Sequence, residues 1–126
     1  MSARTKARKR ALDMLYSADM RQVPVEQMHV VVAEKAANEP ERAASSLYAR
    51  EIDELIETHS RGWTIDRMPA VDRALLRIGV WEIVYNDAVP DPVAIAEAVE
   101  AATVLSTDDS AGFVNGLLAA VSHSKA

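Results

Sequence analysis

Residues 70–86 read AVDRALLRIGVWEIVYN, a run that is apolar on nearly every side once wound into a helix. At about 100° per residue, Val71, Ala74, Leu75, Ile78, Trp81 and Tyr85 fall on one face, and Leu76, Val80 and Val84 form a second row at i, i+4, i+8. A helix with two apolar rows needs two sets of neighbours, so the chain is expected to assemble other helices around this hub. Asp72, Arg73 and Arg77 lie beside the second row, and two uses of that row stay open. It is a second buried seam, or it forms, with these three charges as its polar rim, a docking surface for a partner.

The rest of the chain reads as helices that can supply those neighbours. A first helix is expected from about Ala3 to Met20, with Ala7, Ala11, Met14, Leu15 and Ala18 inward. A second is expected over 25–37, with Val25, Met28, Val32 and Ala36 inward. After a turn at Asn38, Glu39 and Pro40, a third runs to about Arg61, with Ala44, Tyr48, Ile52, Leu55, Ile56 and His59 at helical spacing. Gly62 suits the residue that stops this helix. Thr64 suits the cap of a short turn before the hub. Beyond it, Asp91 and Pro92 read as cap and first residue of a helix to Leu105, with Ile95, Ala98, Val99, Ala102 and Leu105 inward. A last helix starts near Asp108 or Asp109 and runs to about Val121, with residues 122–126 expected to fray. This is an all-α chain of two small stacked helical bundles, 1–63 and 64–126, the second containing the hub.

Charge is distributed unevenly. The net charge is −5, yet residues 1–10 carry Arg4, Lys6, Arg8, Lys9 and Arg10 with no acid, leaving nine basic against nineteen acidic residues in the remainder. Cations at a helix N-terminus oppose the macrodipole, so the cluster is poorly explained by helix stability. Such a segment suits RNA, whose phosphates release counterions when neutralised; a solubilising charged end is the plainer alternative.

The last helix contains Gly112, Phe113, Val114, Asn115 and Gly116. Each interior glycine costs about 1 kcal/mol relative to alanine, so the pair calls for a compensating close approach, such as tight packing against the hub helix. Phe113 is the single phenylalanine of an aromatic-poor sequence, and base stacking is a second use for it.

Catalytic patterns are missing. The sequence has no cysteine and contains no GxGxxG, Walker loop or HExxH. His29, His59 and His123 are scattered. No enzyme activity, cofactor or metal site is expected. No apolar run reaches the roughly 18 residues of a membrane span, and the chain is read as cytoplasmic.

Two blocks carry a family resemblance. One is residues 4–22, which include Leu15, Tyr16 and Ser17; the other is 68–118, with ALLRIGVWEI, DPVAIAEAVE and GFVNG. Together they resemble the NusB family of transcription antitermination factors. The resemblance implies an all-helical fold and no catalysis. It further implies binding of boxA-type single-stranded RNA from ribosomal RNA leaders together with NusE, a protein of the small ribosomal subunit, and assembly with other Nus factors on RNA polymerase. By the same resemblance Arg4, Lys6, Arg8, Lys9 and Arg10 contact RNA with Tyr16 close by, Asp109 and Phe113 lie near the RNA path, and Asp72 and its neighbours face NusE. The family's basic segment is often a run of arginines, whereas Thr5, Lys6 and Lys9 interrupt it here; lysine lacks the planar guanidinium fork, which gives NusE a larger share of the affinity.

Two rival readings share these residues. Some ribosomal-RNA methyltransferases carry a NusB-like domain, and a homodimeric interaction module could use the glycine pair or the charged faces between copies.

Overall fold

Every described helix packs against one central helix, α3 (Ala70–Tyr85). The computed structural model describes residues 3–21, 49–86 and 88–125. The expected second helix, the Asn38–Pro40 turn and the first part of the third helix lie outside the described residues, and with them Val25, Met28, His29, Val32, Ala36, Ala44 and Tyr48. The side chain of Ala18 lies outside them too. The described elements are α1 (Ala3–Arg21), α2 (Ala49–His59), a 3₁₀ turn (Ile65–Arg67), α3, α4 (Asp91–Leu105) and α5 (Asp108–Ser124), with no strand among the described residues. None of these helices is long and apolar enough to cross a membrane.

The two rows of α3 explain the packing. Ala74 and Ile78 join Ala11 and Leu15 of α1 in one small apolar cluster. Leu75, Leu76, Val80, Trp81 and Ile83 join Ile52 and Ile56 of α2, Ala94, Ala98 and Ala102 of α4, and Val114, Leu117, Leu118 and Val121 of α5 in the main core. The second row is therefore a buried seam at Leu76 and Val80, both fully enclosed, and half-buried at Val84. Of the two uses open for that row, interior packing is the one the fold adopts.

The stripe of α4 sits slightly off its expected position. Ala94, Ala98 and Ala102 are buried at i, i+4, i+8, Ile95 and Val99 are half-buried, and Leu105 is 51% exposed. Small residues let α4 approach α3 closely, while its last turn, with Val104 and Leu105, ends on the rim of a groove against α1.

Helix ends follow local chemistry with two corrections. α2 stops at His59, before Arg61 (φ +56°) and Gly62 (φ +94°) take the left-handed conformation that ends it. Thr107 caps α5 by accepting the Ser110 amide at 3.2 Å. Asp91, in contrast, begins α4 without capping it. Its carboxylate crosses to α5, accepting from Ser122 Oγ at 2.6 Å and Lys125 Nζ at 2.9 Å, and Lys125 also donates to the Ile83 carbonyl at 2.7 Å. These ties hold α5 to Ser124, three residues beyond the expected Val121, so the tail through Lys125 is anchored where fraying was expected.

Burial opposes the charge on Asp91, but the Ser122 hydroxyl and the Lys125 ammonium outweigh it and hold the carboxyl below its ordinary value. A carboxyl depressed in the folded state contributes stability above its unfolded pKa and loses it as pH falls through the folded value. Below about pH 4 the α4–α5 tie should weaken. Thermal melts of the native chain and Asp91→Asn at pH 7 and pH 3 should differ more at pH 7; an equal difference at both would exclude this role.

Candidate nucleic-acid interface

The basic helix α1 lies antiparallel on α3, and ion pairs at both ends set that direction. Arg8 Nε and Nη2 donate to Glu82 Oε1 and Oε2 at 2.7 and 2.8 Å, a bidentate pair. Eleven residues later along α1, Asp19 meets Arg73 Nε at 3.2 Å and Arg77 Nη1 at 3.3 Å, near the other end of α3. Arg77 also pairs with Asp53 of α2 at 2.9 Å. The alanine stripe of α1, Ala7 and Ala11 with Leu15, is sealed against the hub as its spacing predicts, and Met14 is half-buried.

This docking divides the basic segment. Arg4, Lys6 and Lys9 are exposed, and Arg10 is half-buried. Arg8 corrects the expectation that all five cations face outward: its side chain is 12% exposed and its guanidinium is committed to Glu82, with Glu97 at 3.7 Å. The reason lies in Glu82, a carboxylate only 1% exposed inside the helix core, which a fold does not bury without a partner. The Glu82 hydrogen bond outweighs the desolvation of Arg8 and raises its pKa still further above neutrality, so the guanidinium stays charged at any ordinary pH.

Two turns of α1 beyond Arg8, Tyr16 is 40% exposed. At the opposite end of α3 from Glu82, about 15 Å away at 1.5 Å per residue, stands a buried polar knot. Asp72 Oδ1 accepts from Ser106 Oγ and Asp72 Oδ2 from Ser110 Oγ, each at 2.9 Å, and Thr107 Oγ1 lies 3.0 Å from Ser110 Oγ. The knot fixes the first turn of α5, from which Asp109 is exposed and Phe113 is half-buried. Phe113 meets Trp63, with ring centroids 5.8 Å apart and planes inclined at 39°.

The glycine pair has no packing role within the described chain. A Cβ at Gly112 or Gly116 would meet nothing within 4 Å, whereas one at Gly79 would fall 2.7 Å from Leu118 Cδ1. The close approach between α3 and α5 is made at Gly79, which the sequence reading passed over.

The expected partner face also changes. Leu76 and Val80 are sealed in the core, and Asp72 is 3% exposed with both carboxylate oxygens held by serines. None of the three can present its side chain to a docked protein, because burial against α2, α4 and α5 already satisfies it. Arg73 is bound inward to Asp19 and, through Nη1, to the carbonyls of Ile65, Asp66 and Met68 at 3.2, 3.2 and 2.9 Å. Arg77 is committed to Asp53 and Asp19. Val84, half-buried, keeps an accessible edge.

Four contributors escaped the sequence reading. Glu82 had a signal, a lone acid inside the apolar run VWEIV. Gly79 had a weaker one, an interior glycine in the same run. Ser106 and Ser110 had none, since their partner is more than thirty residues away.

A model of the NusB family matches residues 5–123. The transcription antitermination protein NusB of Leifsonia xyli subsp. xyli is 67% identical, over 99% of this chain and 94% of that protein. Among solved structures, NusB of T. maritima superposes with a TM-score of 0.84 at 26% identity, covering 99% of this chain and 94% of that one. A chain from the crystal structure of the antitermination factors NusB and NusE in complex with dsRNA superposes with a TM-score of 0.74 at 30% identity, covering 97% of each.

Proposed function

The chain belongs to the NusB family, and from that premise we propose that it is a transcription antitermination factor that binds boxA-type RNA of ribosomal RNA leaders together with NusE. It then joins the other Nus factors on RNA polymerase in the cytoplasm, and it catalyses no reaction. The observation that carries this reading is the antiparallel seating of α1 on α3. It leaves Arg4, Lys6 and Lys9 outward at one end of the hub, while Asp109 and Phe113 occupy α5 at the other end. Exposed aromatic rings favour unpaired bases, which can splay out and stack. The cations supply attraction independent of sequence, and Tyr16, Asp109 and Phe113 supply contacts that can discriminate bases.

Arg8 enters this scheme through Glu82, keeping the basic helix in register on the hub. Asp72 enters through Ser106 and Ser110, shaping the end of the molecule that the family resemblance assigns to NusE. NusE therefore meets the surface over that knot; Val84 lies in the last turn of α3, beside Glu82, and is not part of that surface.

Fluorescence anisotropy of a boxA-type RNA against a scrambled RNA, at two salt concentrations and with or without NusE, tests the proposal. A boxA preference that NusE strengthens is expected. Three outward cations at about 0.7 per neutralised single-strand phosphate predict a log–log salt slope of about −2 for this chain alone. Equal binding of both RNAs in every mixture would sink it.

A further inference from the structure

We propose that Trp63 and Phe113 together form a stacking shelf for one unpaired RNA base, with Trp63 as the outer contact surface. This rests on the RNA-binding reading above and adds to it Trp63, a residue that reading does not use.

The two tryptophans of the chain are used in opposite ways. Trp81 is 5% exposed within the core, whereas Trp63 is 53% exposed. An indole left half in water is poorly explained by packing alone, and Trp63 is held in place by its backbone. The buried Ser60 shares its hydroxyl proton between the carbonyls of Glu57 and Trp63, and the Trp63 amide donates to the Ser60 carbonyl at 3.4 Å. Arg61 and Gly62 turn the chain into this position through positive φ. On the far side, Arg73 grips three carbonyls of the segment leading to α3. The ring is thus presented by an ordered connection, and little freedom remains to be lost on binding.

The geometry selects the mode of contact. A base sandwiched between two rings needs them about 7 Å apart, twice the 3.4 Å stacking rise. At 5.8 Å and a 39° tilt, Trp63 and Phe113 stand closer than a sandwiched base would need and leave no slot between them. Phe113 therefore backs the indole, and the half of Trp63 left in water is the surface that receives a base. Beside it, Asp109, Gly112, Phe113 and Gly116 share one face of α5 at i, i+3, i+4 and i+7. The space above both glycines is open, which leaves room for a sugar–phosphate strand to cross the helix closely. Charges near the shelf are mixed: Arg61 and Arg67 are exposed, as are Glu57, Asp66 and Asp109. The shelf accordingly recognises a base by its π-face, and phosphate attraction is left to α1.

The test uses the full chain with NusE and boxA-type RNA, following tryptophan emission and RNA anisotropy in the same samples with the emission of NusE alone subtracted. Saturating RNA should quench the native emission, and Trp63→Phe, which keeps only the buried Trp81, should abolish that quenching. Trp63→Ala should weaken RNA binding about tenfold, within the range of one lost base–aromatic stack, while Trp63→Phe keeps most of the affinity. Circular dichroism melts of both variants confirm that they fold. If RNA binds but native emission is unchanged, or Trp63→Ala binds within twofold of native, the shelf is overturned and the antitermination reading stands. If no RNA binds in any mixture, that reading falls and the shelf falls with it.

Discussion

Arg8→Ala is expected to destabilise the fold by about 3 kcal/mol, the lower end of the range for stripping one partner from a buried ion pair. For a chain of this size that lowers Tm by roughly 10 °C. The effect is large because Glu82 is enclosed within α3 and both its oxygens are held by the same guanidinium. Arg8→Lys should lose much of this stability, since an ammonium cannot make the planar two-point contact. The double variant Arg8→Met, Glu82→Leu removes the buried charge altogether and should recover most of the loss. The same set separates fold from function. If Arg8 serves the fold, the stable double variant keeps its RNA affinity; if Arg8 also reaches phosphate, affinity and salt slope drop while Tm recovers. A Tm unchanged in Arg8→Ala would overturn the structural assignment.

That experiment touches the point where local sequence reading reached its limit. The periodicity of residues 70–86 specified a helix with two apolar rows, without deciding whether the second was buried, and the alanine spacing of α1 specified the face by which it docks. Both inferences need only the 3.6-residue repeat, which acts over neighbouring turns. The basic cluster was equally plain, but the turning inward of one of its members was not. Arg8 and Glu82 lie 74 positions apart, and no local pattern connects them. Asp72 illustrates the same limit. Its place beside Leu76 and Val80 made a polar rim plausible, and only the arrival of Ser106 and Ser110 from across the fold turns the carboxylate inward. Trp63 lay in a short connection whose exposure is set by where Phe113 arrives. Composition and period therefore located the surface that carries charge, and tertiary contacts decided which residues on it remain available.

Gly79→Val is expected to destabilise by about 3 kcal/mol, at the upper end for overpacking. Its sign is informative because helix propensity alone predicts the reverse: glycine is the poorest ordinary residue in a helix interior, and valine is better by a few tenths of a kcal/mol. The steric term should prevail, since even a single methyl carbon would stand 2.7 Å from Leu118 Cδ1 and 3.0 Å from Cδ2. Leu118 is fully buried and cannot swing into solvent to make room. Gly112→Ala and Gly116→Ala provide the contrast: with nothing within 4 Å of either new Cβ, each should stabilise by up to about 1 kcal/mol. The glycines that look alike in sequence thus divide by the sign of their effect. In a double-mutant cycle, Leu118→Ala lowers stability alone but should offset part of the loss in Gly79→Val, because the cavity left by the leucine accepts the valine methyls. Additive losses would show that the helices α3 and α5 do not meet at this residue. Denaturant midpoints at constant m-value give the comparison directly.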